Sequence, residues 1–147
     1  MKSQRPILEY ALLAVVIIIA AGLIFRIKTQ DVELCRSALT GLIKGSFSAG
    51  KNIDWNNLKA MGVDVGTAYS KFTSDKDRNE YKKGMIWGFK AGFIHSKGRL
   101  KEFKNWRVLN KDNGKTVIAV DYLNNKTLLF TLSSQNKRKI IAINWKE

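Results

Sequence analysis

The hydrophobic pattern changes its period twice along the chain. From Ile7 to Phe25 the sequence reads ILEYALLAVVIIIAAGLIF, an apolar run whose one ionisable residue is Glu9. As a helix its nineteen residues span about 28 Å, close to the ~30 Å hydrocarbon core of a bilayer. Pro6 suits a first helical turn, where its missing N–H costs little. Glu9 and Tyr10 lie near one end of the run, where a carboxylate and a tyrosine reach the membrane–water interface. The run is too apolar for a surface helix, so the sequence predicts a transmembrane anchor. A cleaved signal peptide is the competing reading, with Lys2 and Arg5 as a basic start and Ala20-Ala21-Gly22 as a small-residue cleavage site. Against it, Leu23-Ile24-Phe25 prolong the apolar run, and cleavage there leaves an apolar new terminus.

A helical period follows. Cys35, Ala38, Leu39 and Leu42 recur at i, i+3, i+4 and i+7, which predicts a helix over Asp31–Lys44 ending at Gly45. Cys35 falls on its apolar face and reads as a small buried hydrophobe. Residues 46–53 read as a loop. Asp54 is expected to cap a short helix carrying Trp55 and Leu58, with Gly62 as its stop, and Val63 to Phe72 fits another helical turn. Ser74-x-x-Asp77 resembles a capping box and opens the clearest helix, from Asp75 to His95. Tyr81, Met85, Phe89 and Phe93 form its apolar row. Beside them Gly84, Gly88 and Gly92 recur at every fourth position. Each internal glycine costs a helix about 1 kcal/mol against alanine. Two compensations are open: close approach of another element, or room for a ligand between helix and sheet.

After the basic segment KGRLKEFK (97–104) the period becomes two. Phe103–Asn110, Thr116–Leu123, Lys126–Leu132 and Lys139–Trp145 read as strands. Asn113-Gly114 and Asn124-Asn125 mark tight hairpin turns, and Ser133-Ser134-Gln135-Asn136 separates the last pair. Links this short demand antiparallel pairing. The predicted fold class is therefore α+β: an N-terminal transmembrane helix, then helices packed on a four-stranded antiparallel meander. Residues 1–28 are the basic tail and anchor, and 29–147 a basic domain.

This order of elements resembles the cystatin-like cone of the nuclear transport factor 2-like superfamily. The resemblance is carried by the helix DVELCRSALTGLIKG, the segment IDWNNL, the helix DKDRNEYKKGMIWGF and the strands NWRV, TVIAVDY, TLLFTL and IIAINW. It covers roughly residues 31–146 and rests on layout. Proteins with this cone behind one membrane helix include periplasmic assembly subunits of type IV secretion systems; the superfamily also holds enzymes and small-ligand binders, so fold alone does not settle function. The run EYALLAVVIIIAAG resembles the start of Flp-type pilins and their TadE-like relatives. That resemblance implies an intramembrane assembly contact at Glu9, pairing with a neighbouring subunit's N-terminal amine. The chain departs from the family where processing occurs, because Gln4 to Leu8 contain no glycine.

Charge adds to this picture. Lys and Arg number 26 against 12 Asp and Glu. Beyond Lys28 the chain holds 22 basic and 11 acidic side chains, a net of +11. Such a field draws anionic partners, whether lipid headgroups, phosphorylated polymers or acidic proteins, although solubility alone also explains it. The expected contact rim comprises Lys82, Lys83, Lys90, Lys97, Arg99, Lys101, Lys104, Lys137, Arg138 and Lys139. The short basic tail at Lys2 and Arg5 places the N-terminus in the cytoplasm and the domain outside it, periplasmic or extracellular.

Candidate chemistry is sparse. There is no glycine-rich phosphate loop, no HExxH and no paired-cysteine metal spacing. His95 stands alone at a helix end, where it complements the helix dipole. Asp121 shares a row with Ala119 and Leu123 and can face either the interior or water; Glu80 sits on a solvated helix. A lone acid without a base or an orienting partner makes no mechanism. Interleaved aromatic and basic residues from Lys82 to Arg107 suit stacking on bases, but no nucleic-acid motif accompanies them. The sequence thus predicts no enzyme, metal or cofactor. It predicts a membrane-anchored binding or assembly subunit with protein partners in a larger membrane complex. The alternatives are a small-ligand or anionic-lipid module built on a helix–sheet cavity, and a pilin-like subunit.

Overall fold

A computed structural model describes residues 5–112, 114–134 and 137–146. The chain forms two compact units, Met1–Gln30 and Asp31–Glu147. Helix α1 runs from Arg5 to Lys44, and nothing from Arg26 to Gln30 is a glycine or proline that would break it. In the first unit ten large apolar side chains between Leu12 and Phe25 are each more than half exposed. Soluble proteins rarely expose so much contiguous apolar surface. This helix is long and apolar enough to cross a membrane. The Glu9 side chain lies outside the described residues.

In the second unit the predicted face of Asp31–Lys44 is buried: Cys35, Ala38, Leu39 and Leu42 all join the core. Gly45 ends the helix at φ +71°. Its N–H donates to the Leu42 carbonyl and that of Ser46 to Gly41, the paired closure for which a left-handed glycine is suited. A 3-10 turn, Phe47–Asn52, follows.

The next segment departs from expectation. Asp54 caps no helix. Its N–H donates to the Ile140 carbonyl at 2.9 Å, and that of Met61 to Ile143 at 2.8 Å. Residues 53–61 instead lie along the edge of the last strand and contribute β1 (Lys59–Ala60), which turns through Met61-Gly62 into β2 (Val63–Asp64). Two-residue strands carry no alternation, so only pairing with a distant edge defines them. Helix α2 (Val65–Ser70) begins at Asp64, whose carboxylate accepts from the Thr67 N–H at 3.0 Å. That bond holds the exposed Asp64 carboxyl below the usual carboxylate range.

Helix α3 spans Asp75–His95, as the pattern predicts. The Ser74 hydroxyl accepts from the Asp77 N–H at 3.1 Å and lies 2.7 Å from its carboxylate. Tyr81, Met85 and Phe89 pack against the core, and Ile86 is fully buried.

Four antiparallel strands complete the unit: β3 (Lys104–Asp112), β4 (Lys115–Tyr122), β5 (Lys126–Leu132) and β6 (Ile140–Trp145). The hairpin turns are where expected. Asp112 pairs with Lys115 around Gly114 at φ +76°, with Asn113 outside the described residues. Asn124 and Asn125 both adopt positive φ, as a primed two-residue turn requires. The sheet is not a four-stranded meander, however. It has six strands in the order β2-β1-β6-β5-β4-β3, with β1 parallel to β6, and it is open. The fold class is mixed α+β. Thr116, Ile118 and Val120 of β4 point into the core together with Leu128, Phe130 and Leu132 of β5.

Candidate functional site

Along α3 the glycine stripe does not serve close packing. A Cβ at Gly84, Gly88 or Gly92 would meet nothing within 4 Å. Elsewhere on the helix, Trp87 and Ile94 are each 62% exposed. Gly88 and Gly92 border an open groove of about 340 Å³ between α3 and the sheet. Phe89 and Phe93 line it from the helix, and Met61, Phe103, Leu128 and Trp145 from the strand side. Ser96 is its one polar side chain. Gly84 lies outside this groove, one turn back along the helix.

An aromatic ladder closes one end of the groove. Phe93 stacks on Phe103 at 6.1 Å between centroids, Phe103 on Tyr122 at 4.5 Å, and Tyr122 tilts against Trp145 at 5.9 Å. Burial pushes the Tyr122 hydroxyl up, and the neighbouring Glu102 carboxylate adds to the shift. Gly98 fits over this ladder because it has no side chain: a Cβ there would lie 2.5 Å from the Tyr122 hydroxyl and 2.7 Å from the Phe93 ring. The segment that carries Lys97, Arg99, Lys101 and Lys104 is thereby fixed at the groove's end.

The ten rim residues do not form one patch. Lys104 registers with Asp121 at one end of β4, whereas Lys137, Arg138 and Lys139 precede β6, near Thr116 at the other end. Thr116 and Asp121 lie five residue steps apart along the strand, about 17 Å. Lys82 lies over the Tyr69 ring, Lys90 over Trp87, and Lys83 pairs with Glu80 at 2.9 Å. Arg138 has a structural partner: its guanidinium pairs with the buried Asp31 and donates to the Thr116 hydroxyl at 3.1 Å.

Asp121 faces away from the core. It pairs with Arg107 at 2.9 Å and accepts from Asn105 and Thr127 at 3.3 and 3.2 Å. Arg107 above all holds its carboxyl below the usual range. This cluster pins the bulged start of β3, where Asn105 takes φ +55°. Asp121 also lines an open recess of about 580 Å³ together with Glu102, Lys101, Lys104, Asn105, Tyr122 and Leu123. Among the described residues no three His, Cys, Asp or Glu side chains gather as a metal site.

The sequence named the glycines and the Phe89–Phe93 row but not the opposite wall. Met61, Phe103, Leu128 and Trp145 come from four separate elements, and nothing local marks them as neighbours. Comparison with protein-family models, with curated proteins and with solved structures finds no match for this chain.

Proposed function

We propose that this chain is a single-pass membrane protein whose basic α+β unit works by binding rather than catalysis, as a subunit of a membrane assembly. The observation that carries this reading is the open glycine face of α3 beside the apolar groove. Three glycines cost about 1 kcal/mol each in a helix, and here no neighbour within the unit compensates for them. A partner's helix laid against Gly84, Gly88 and Gly92 would approach the backbone closely. Acidic residues on that helix would meet Lys97, Arg99, Lys101 and Lys104, steering the encounter. The basic tail at Lys2 and Arg5 favours an N-terminus in the cytoplasm, with this unit outside it.

The test is affinity purification of the full-length chain in gentle detergent, read by native mass. A stoichiometric membrane-protein partner is expected. Gly88→Leu should remove it while the fold survives, because the added side chain enters open space. Reversing the charges at Lys97, Arg99, Lys101 and Lys104 should weaken association without unfolding. A chain that stays alone would sink the assembly reading.

The groove supports a second reading, a small apolar ligand. About 340 Å³ with a nearly all-apolar lining falls at the lower end of small-molecule sites. A co-purifying small molecule lost in Gly88→Leu would favour it over a protein partner.

A further inference from the structure

We propose a second site: a cup at one end of the sheet of the basic unit that takes the phosphate of an anionic lipid headgroup. The cup lies at the opposite end of the sheet from the aromatic ladder and has a volume of about 450 Å³. Lys59 and Lys115 line it together with the hydroxyl-bearing Thr131, Ser133 and Ser134. Two lysines and three hydroxyl-bearing side chains suit a phosphodiester: the ammoniums neutralise its charge and the hydroxyls donate to its oxygens.

Tertiary pairing assembles these residues. Lys59 of β1 and Thr131 of β5 both register with Ala142 of β6. Gly114, with its positive φ, lets the β3–β4 turn press against Ser134, where a Cβ would stand only 2.8 Å from the Ser134 Cβ. That contact brings the neighbouring Lys115 to the cup. The Ser133 hydroxyl accepts from the Lys139 N–H at 3.2 Å, which leaves its own proton to donate. Asp54 is the acid in the lining, and its carboxylate accepts from the Asn57 amide at 2.9 Å. Two lysines therefore face one acid, and Lys137 and Lys139 on the adjoining link add to the positive field.

Position selects a lipid as the source of the phosphate. Between Lys137 and Lys139, Arg138 reaches Asp31, the first residue of this unit. Six residue steps separate Asp31 from Phe25, the last of the apolar run, and these extend to at most about 20 Å. Arg26 and Lys28 lie within them. Chain connectivity alone keeps the basic unit tethered to any membrane that holds the apolar run, which raises the effective concentration of lipid phosphates over that of a free anion. This site presupposes that α1 crosses the membrane, but not that the α3 groove is occupied.

The test uses the full-length chain in nonionic detergent, with bound lipid counted by native mass spectrometry. Phosphatidylglycerol should be retained and phosphatidylcholine should not. Lys59→Gln with Lys115→Gln should lower phosphatidylglycerol retention at least tenfold, with thermal unfolding unchanged. The matched pair Lys97→Gln with Lys101→Gln, at the other end of the sheet, should leave retention within twofold. Gly88→Leu should not affect it, so this site and the groove fail separately, and alkaline extraction of membranes checks the anchor on its own. Equal loss from both lysine pairs would reduce the effect to a diffuse basic field and overturn the site. Equal retention of phosphatidylcholine would also overturn it. Binding of inorganic phosphate as tight as that of phosphatidylglycerol would make it a soluble-anion site and refute the lipid assignment.

Discussion

The helical stretch Asp31–Lys44 and helix α3 both carry small residues on a regular repeat, yet the fold uses them in opposite ways. In Asp31–Lys44 the repeat is covered. Cys35, Ala38, Leu39 and Leu42 are buried, and a Cβ at Gly41 would stand 2.7 Å from that of Ala49. In α3 the glycines face open space. A glycine face that costs propensity and meets no neighbour in its own unit is a surface available for something else. Glycine spacing alone does not separate these cases; what stands opposite the glycine does.

The comparison can be broken in several places. Leu39→Ala should cost the most, about 2–5 kcal/mol, because it opens a cavity in a filled core. Chemical denaturation of the detergent-solubilised chain would measure it, and a loss below ~1 kcal/mol would mean the buried face is not what holds the unit. Replacing Gly84, Gly88 and Gly92 together by alanine should raise stability, by about 0.4–1 kcal/mol per site. A fall in midpoint instead would show that α3 is packed against something on that face. Gly41→Ala carries the same chemical change in the covered helix and should have the opposite sign. It should destabilise by about 1–3 kcal/mol, offset in part by the helix gain. If both glycine substitutions shift the midpoint alike, the contrast between the helices disappears.

The smallest effect concerns pH. Asp121 titrates below its ordinary value of about 3.9 because Arg107 favours its charged form. Its contribution is therefore fully present above about pH 4 and is lost as pH falls through the lower native value. Asp121→Asn should flatten that acid limb of the stability curve without altering either proposed binding site. An unchanged acid limb would mean the ion pair at the start of β3 contributes nothing measurable, as many exposed pairs do.

Long periodic segments were legible because their physics is local. The α3 boundaries follow from Ser74 and from one apolar row, and the two hairpin turns follow from glycine and asparagine chemistry at Gly114, Asn124 and Asn125. The segment from Asp54 to Asp64 was not legible. Its capping residue and its Trp55–Leu58 spacing suit a helix, but the unpaired edge of β6 offers backbone hydrogen bonds to Asp54 and Met61 that a short helix cannot match. The ion pair of Arg138 was not legible either, because its partner, Asp31, lies 107 residues away.

By itself, the sequence determined an apolar segment long enough for a membrane, an α+β unit of high positive charge, and the order of its principal helices and hairpins. Those properties come from composition and from periods shorter than a helical turn or two, which each stretch of chain expresses alone. Tertiary structure decided the six-stranded sheet, the division of the basic residues between its two ends, the open side of the glycine stripe, and the pairing of Lys59 with Lys115 around one cup. Each of these depends on which distant element lies opposite a residue, and that is a property of the packed chain rather than of its local pattern.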